Sequence, residues 1–157
     1  MNVEIREFQP GDEIAFRSLN EAWITASFKL EDEDVVILGD PRHHILDTGG
    51  HIYCAVQPQT AEVLGCCALL AMEEGCFEVA KMAIAEPYRG QGMGKQLLRS
   101  TIAAARNLGA RRLYLVTHHS LKKAIGLYES EGFVHLRPED APPSPYARAT
   151  VFMEKFL

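Results

Sequence analysis

The glycine-rich run Arg89-Gly90-Gln91-Gly92-Met93-Gly94 lies between a predicted strand and the start of a predicted long helix. The first N–H groups of a helix have no partner inside the helix, and the helix dipole is positive at that end. Three glycines remove side chains that would hold an anion away from these amides, while Arg89 and Lys95 add positive charge. The run therefore predicts a site for a diphosphate or a similar anion.

Two other phosphate-binding motifs do not fit this run. A Walker loop needs a glycine at position 89, where arginine stands, and a serine or threonine at position 96, where glutamine stands. A dinucleotide fingerprint GxGxxG would need glycine in place of Lys95 or Leu97, depending on which glycine begins it. The sequence thus excludes both of these alternatives.

Apolar periodicity and turn signals predict the element order β-α-α-β-β-β-α-β-α-β-β. The third helix is the best defined, because apolar residues recur at helical spacing from Met93 to Ala105 before the stop signal Asn107-Leu108-Gly109. The strand-helix-strand order around it predicts a right-handed parallel crossover. The other helices are expected near residues 12–26, near residues 41–47 and around Tyr128, and the strands near residues 3–6, 51–56, 62–72, 76–84, 112–116, 133–136 and 148–156.

Composition limits the class of protein. The chain has 157 residues, of which 47% are hydrophobic and 24% are charged, and this predicts a single domain over residues 1–157. No apolar run reaches the ~18 to 20 residues of a membrane helix and no signal peptide is evident, so we expect a cytoplasmic protein without a membrane partner. The net charge of -5 gives no general attraction for nucleic acid, and a homodimer stays open.

Cysteine and histidine spacing does not predict a metal site. The four cysteines form no CxxC pair, and we expect them to be reduced and buried, with the neighbours Cys66 and Cys67 on opposite faces of a strand. Histidines 43, 44 and 51 have no accompanying ligand pattern. We therefore expect no metal.

Two blocks of the sequence resemble the GNAT superfamily of acetyltransferases. Residues 81–84 and 86–95, followed by Leu97-Leu98, are similar to its acetyl-CoA motif, whose pattern Q/R-x-x-G-x-G/A is met from Arg89. Residues 124–129 and 131–133 are similar to its later Leu-Tyr-Glu…Gly-Phe block. The strong similarity covers roughly residues 76–135, and the predicted element order extends it to the whole chain.

This resemblance implies an α/β (α+β) fold with a mixed sheet of about seven strands flanked by four helices. It also implies acetyl-CoA as cosubstrate. In the family the strand before the glycine run parts from its parallel neighbour, and the pantetheine arm binds in the gap. The cofactor-binding residues implied are Met82, Ala83 and Ile84 through their backbone, and Arg89, Gly90, Gln91, Gly92, Met93, Gly94 and Lys95 around the diphosphate.

The catalytic residues are also implied by position. Tyr128 matches the family's frequent general acid, although a core tyrosine on a helix stripe would have the same spacing. Glu78 is the first candidate for the general base, because its even spacing from Met82 predicts a shared face; a structural glutamate is the alternative. His118 and His119 stand where relatives often carry asparagine, so His118 is expected to contact the cofactor arm, and either histidine could serve as base instead.

The predicted function is N-acetyltransfer from acetyl-CoA to a primary amine by direct attack. A non-catalytic acyl-CoA-binding sensor and an acetyltransferase acting on a protein N-terminus or lysine are the alternatives. The acidic residues 31–34 and 73–74 would suit a basic acceptor, small molecule or peptide, but a solvated acidic face explains them equally well.

Overall fold

A mixed sheet of seven strands forms the centre of the molecule, which we describe over residues 2–157 from a computed structural model. Its strand order is β1-β2-β3-β4-β5-β7-β6, and only β4 and β5 pair in parallel. The strands are β1 Glu4–Glu7, β2 His51–Val56, β3 Val63–Ala71, β4 Cys76–Ile84, β5 Arg112–Thr117, β6 Val134–Leu136 and β7 Val151–Phe156. The sheet confirms the predicted fold class.

In residues 2–157, four α-helices flank the sheet. They are α1 Glu13–Ser27, α2 Asp32–Gly39, α3 Met93–Asn107 and α4 Lys122–Ser130. The buried positions of α3 are the six expected from its spacing, namely Met93, Leu97, Leu98, Thr101, Ile102 and Ala105. The element order is therefore confirmed.

The second helix was predicted in the wrong place. It spans Asp32–Gly39, and only a single π-helical turn, Arg42–Leu46, occupies the predicted range. The acidic residues begin the helix: the Asp34 carboxylate accepts a hydrogen bond from the Glu31 amide at 2.9 Å, and Ile37 and Leu38 are buried on its inner side. The last strand also begins later than expected, at Val151, because the chain turns at residues 146–149 through a hydrogen bond from the Ala149 amide to the Tyr146 carbonyl.

Two apolar clusters lie on opposite faces of the sheet. One contains Leu97 and Leu98 of α3, and the other contains Phe16 and Ile24 of α1. Cys67 belongs to the first cluster and Cys66 to the second, as predicted, and burial raises the pKa of all four cysteine thiols. All four thiols are free.

Strands β4 and β5 separate soon after they begin. Residues 76–78 pair with residues 112–114, but β4 continues to Ile84 and β5 to Thr117 without further pairing between them. This confirms the expected gap between the two strands.

A β-bulge in β4 lies beside that gap. Ala68 of β3 pairs with Ala80 whereas Cys66 pairs with Ala83, so β4 contains one extra residue between these pairs. Lys81 occupies the bulge with a φ of 53°, which is unusual for a residue other than glycine.

Candidate active site

A cavity of about 340 Å³ opens where β4 and β5 part. It lies between the two strands and is lined also by residues of α4, α1, α2 and the loop before β7. The residues that line it include Trp23, Glu33, Glu78, Lys81, Met82, His118, Tyr128, Tyr146 and Arg148. Both predicted catalytic residues are therefore brought together in one cavity.

The glycine run forms a turn with unpaired amides at the N-terminus of α3. The backbone amides of residues 90–95 donate to no protein group in the described chain. Gly90 and Gly92 have φ of 77° and 83°, and a Cβ at either would meet no protein atom within 4 Å. Their side-chain positions thus point into open space, as an external anion bound there requires.

The side chains of the turn have different roles. Arg89 donates from Nε to the Ile84 carbonyl at 2.9 Å, and the Gln91 side chain donates from Nε2 to the Pro87 carbonyl at 3.1 Å, so both brace the turn. Lys95 is exposed at the first turn of α3. The Met93 side chain is buried in the core, which leaves only its amide for a ligand.

The predicted shared face of Glu78 and Met82 is wrong. Glu78 pairs with Leu70 and Ala83 with Cys66, so Glu78 and Ala83 share a face of β4. The bulge reverses the alternation between them, and Met82 packs against the cluster on the α3 side. Both residues nevertheless line the cavity, because it passes between the strands.

Glu78 is a half-buried carboxylate without a partner. It makes no hydrogen bond or ion pair with any residue from 2 to 157, and the buried hydroxyl of Tyr114, its neighbour on β5, lacks a partner as well in that part of the chain. Burial raises the pKa of Glu78 to about 7, although the charge of Lys81 acts in the opposite direction. A carboxyl group with this pKa can accept a proton near neutral pH.

Tyr128 presents a protonated phenol. Its ring packs edge-on against Phe133 at a centroid distance of 6.0 Å, and it lies among the partly buried residues of the core. Burial, with a smaller contribution from Cys67, raises the pKa of its hydroxyl, and that hydroxyl donates to no group in residues 2–157. The residue thus packs in the core and lines the cavity at once.

The two histidines after β5 differ. Only His118 lines the cavity; its Nδ1 accepts from the Ser120 amide at 3.1 Å, which leaves Nε2 to carry the proton in the neutral ring. His119 is exposed, and its Nδ1 lies 3.0 Å from the Thr150 hydroxyl. Burial and the nearby His119 lower the pKa of His118, so its ring is neutral at neutral pH.

A buried ionic network, which sequence reasoning missed, borders the cavity. Asp34, whose side chain is 0% exposed, contacts Lys81 Nζ at 2.6 Å and both terminal nitrogens of Arg148 at 2.6 and 2.7 Å. Burial alone would raise the pKa of Asp34, but the hydrogen bonds from Arg148 and Lys81 lower it to about 2. Glu31 accepts from the Ala147 amide at 2.8 Å and lies 3.4 Å from Arg148.

Two aromatic rings cover the cations of this network. Arg148 lies over the Tyr146 ring at 4.5 Å and over the Trp23 ring at 5.8 Å, and Lys81 lies over Tyr146 at 4.7 Å. Lys81 also donates to the Tyr146 hydroxyl at 3.0 Å. The network therefore joins α1, α2, the β4 bulge and the loop before β7. No spacing in the sequence links these distant positions.

The acidic residues 31–34 and 73–74 form neither a fully solvated surface nor a single acceptor-binding surface. Asp34 is buried, and Glu33 lines the cavity. The second acidic pair, residues 73–74, lies in the β3–β4 turn away from the cavity, with Glu73 at 3.6 Å from Arg112. Only part of the predicted acceptor surface thus lies at the site.

Residues 2–157, which the structure describes, contain neither a candidate metal-binding group nor a candidate membrane-spanning helix. They contain no group of three or more histidine, cysteine, aspartate or glutamate side chains that could hold a metal ion. No helix among them is long and apolar enough to cross a membrane.

Comparisons with known proteins give consistent matches. The sequence model of the "Acetyltransferase (GNAT) family" matches residues 12–133. The chain is 32% identical over 120 residues to the "Uncharacterized N-acetyltransferase YjgM" of Escherichia coli (strain K12), covering 72% of this chain and 71% of that protein. A GNAT-family acetyltransferase of Staphylococcus aureus Mu50 has the same fold, with a TM-score of 0.88 at 20% identity over 99% of each chain.

A ligand-bound structure also shares the fold. It is the N-acetylglutamate synthase of Neisseria gonorrhoeae complexed with coenzyme A and N-acetyl-glutamate, with a TM-score of 0.75 at 19% identity. That match covers 100% of this chain and 35% of the synthase.

Proposed function

The chain belongs to the GNAT family of acetyltransferases and is an acetyl-CoA-dependent acyltransferase; from this premise we propose that it acetylates a primary amine by direct attack. The observation that carries this proposal is the pairing of Glu78 and Tyr128 in one cavity. One of them can accept a proton near pH 7 and the other stays protonated.

The donor would be held by backbone groups. The free amides of residues 90–95 suit the diphosphate of coenzyme A, and Arg89 and Lys95 add charge. The edge of β4 at Met82, Ala83 and Ile84, which pairs with no strand of residues 2–157 on the β5 side, suits the pantetheine arm. His118 would contact that arm as a donor through Nε2.

Proton transfers complete the reaction. The acceptor nitrogen attacks the thioester carbonyl carbon, so the C–N bond forms as the C–S bond breaks. Glu78 takes a proton from the nitrogen, directly or through water, and Tyr128 gives its proton to the departing thiolate. His118 is a weaker candidate for the base, because its Nδ1 already accepts a hydrogen bond.

The acceptor class is tested most simply with a panel. Alkylamines, polyamines, amino acids and short peptides are incubated with acetyl-CoA while free thiol is measured. We expect amine-dependent thiol release with small amines. Release only with peptides would move the proposal to a protein N-terminus or lysine, and release with none of them would contradict amine acetylation and favour a binding role.

A further inference from the structure

The cavity wall formed by α1, α2, the β4 bulge and the loop before β7, which we call the acceptor side, contains two cations that are already neutralised. Lys81 and Arg148 are the lysine and arginine side chains among the described cavity-lining residues, and both are bound to Asp34 at 2.6 Å. Glu31 adds a second carboxylate at 3.4 Å from Arg148. Two carboxylates thus balance two cations before any ligand enters, so an acceptor carboxylate would find no uncompensated positive charge there.

Two other carboxylates of the same cavity are unpaired. Glu33 and Glu78 both line it, and neither makes a hydrogen bond or ion pair with any residue from 2 to 157. Burial raises the pKa of the Tyr146 hydroxyl, and the negative charges of Asp34, Glu33 and Glu78 raise that pKa further. The two free carboxylates therefore line the same cavity as Tyr146, one from α2 and one from β4.

We propose that the acceptor is a small diamine or polyamine, with one amine at Glu78 for acetylation and a second ammonium group bound by Glu33. This inference rests on the proposed acetylation of an amine. An ammonium group would gain from Glu33, whereas a carboxylate in that place would be repelled by it and would lose its water without a free partner. Trp23 and Tyr146 give the intervening methylene groups an apolar wall.

A matched series of acceptors isolates the second charge. Pentylamine, 1,4-diaminobutane and 5-aminopentanoate all carry an amine on four methylene groups and differ only in ending with a methyl, an ammonium or a carboxylate group. We expect kcat/KM for the diamine, after a factor of two for its equivalent amines, to exceed that for pentylamine about tenfold. The carboxylate should be the poorest acceptor.

Glu33→Gln tests the assigned partner, with Glu62→Gln as the matched control. Glu62 is an exposed glutamate in the β2–β3 turn, and its removal changes the net charge equally. In Glu33→Gln the ratio of kcat/KM for diamine to that for pentylamine should fall about tenfold, whereas Glu62→Gln should keep the wild-type ratio. Thermal melting followed by circular dichroism establishes that both variants are folded.

The outcomes separate the two proposals. Thiol release with a preference for pentylamine or 5-aminopentanoate, or an unchanged ratio in Glu33→Gln, would overturn the diamine inference and leave amine acetylation standing. Absence of thiol release with these three acceptors, together with release from another amine of the panel, would overturn the diamine inference alone. Absence of release with the whole panel would contradict the proposed acetylation itself, and the inference would fall with it.

Discussion

At the scale of single residues, the cavity contains two ionisable groups whose pKa values suit the proton transfers of the proposed reaction. Burial acts on both Glu78 and Tyr128, but it brings the carboxyl into the neutral range while it keeps the phenol protonated. Neither the Glu78 carboxylate nor the Tyr128 hydroxyl makes a hydrogen bond with another residue among 2–157, so each is free to exchange a proton with a ligand. Their roles can be tested separately.

Tyr128→Phe should lower turnover by about 10- to 10³-fold, because the departing thiolate would lose its proton donor. Acetyl-CoA affinity should change little, since the ring and its contact with Phe133 remain. Steady-state thiol release and calorimetric titration measure the two quantities. Tyr53→Phe, which removes the hydroxyl of another buried core tyrosine, is the control and should keep wild-type turnover. Wild-type turnover in Tyr128→Phe would show that Tyr128 serves packing alone.

Glu78→Gln should remove a rising limb near pH 7 from the profile of kcat/KM. A base must be deprotonated to act, so the wild-type rate should increase as pH rises through the carboxyl pKa of about 7. Ionisation of the amine also gives a rising limb, and both proteins must therefore be compared with one acceptor. An active Glu78→Gln protein with an unaltered profile would reject Glu78 as the base.

The same raised pKa has a consequence for stability. Because the folded state holds this proton more tightly than the unfolded state, whose carboxyl titrates near 4.5, the contribution of Glu78 to stability falls as pH rises from about 4.5 to 7. The free energy of unfolding of Glu78→Gln relative to wild type should therefore increase across that range. Urea denaturation at several pH values measures it, and a difference independent of pH would contradict the raised pKa.

The limits of sequence reasoning are clearest at the residue scale in β4. Position in a family motif was enough to predict that Glu78 and Tyr128 lie in the cavity. It was not enough to predict which face Glu78 occupies, because lysine gives no sign that it will adopt a φ of 53°. A single extra residue in a strand reverses the alternation on which the argument from even spacing depended.

At the scale of elements, Asp34 connects three parts of the chain that border the cavity. Its carboxylate caps the first turn of α2, holds Lys81 in the β4 bulge and holds Arg148 before β7. Because all of these contacts meet at one fully buried side chain, the shape of the cavity depends on it. Asp34 is thus a positioning residue rather than a catalytic one.

Asp34→Ala should reduce the free energy of unfolding by about 3–5 kcal/mol, the cost of leaving buried cations without their partner. Asp32→Ala removes an exposed aspartate from the same helical turn and should cost at most about 1 kcal/mol. Chemical denaturation measures both. Since the pKa of Asp34 is lowered to about 2, its stabilising effect should be present above pH 3.8 and be lost as pH falls toward 2. Equal costs for the two variants would contradict the role given to Asp34.

Elements with a clear apolar period could be predicted, and elements defined by polar contacts could not. Helix α3 has its six buried residues at helical spacing, and this pattern was sufficient. Helix α2 begins in an acidic run that has the appearance of a surface loop, and its stability depends on contacts with residues 81 and 148, far away in the chain. Such contacts leave no local signal in the sequence.

At the scale of the whole molecule, the gap between β4 and β5 organises the site. The free amides at the N-terminus of α3 lie by the end of β4, and α1, α2 and the loop before β7 border the cavity that opens at the gap. We therefore expect acetyl-CoA and the amine to enter from different directions and to meet between Glu78 and Tyr128. This arrangement depends first on acetyl-CoA binding at the glycine turn.

Calorimetric titration of acetyl-CoA into the wild-type protein, Gly92→Glu and Gly109→Glu tests that binding site most directly. Gly92 and Gly109 lie at opposite ends of α3, both with positive φ (83° and 85°) and with open space at the Cβ position, so the two variants suffer the same backbone strain and gain the same charge. We predict that Gly109→Glu keeps the wild-type affinity, whereas Gly92→Glu loses about 100-fold or more because its side chain and charge displace the diphosphate. An unchanged acetyl-CoA affinity in folded Gly92→Glu would contradict it.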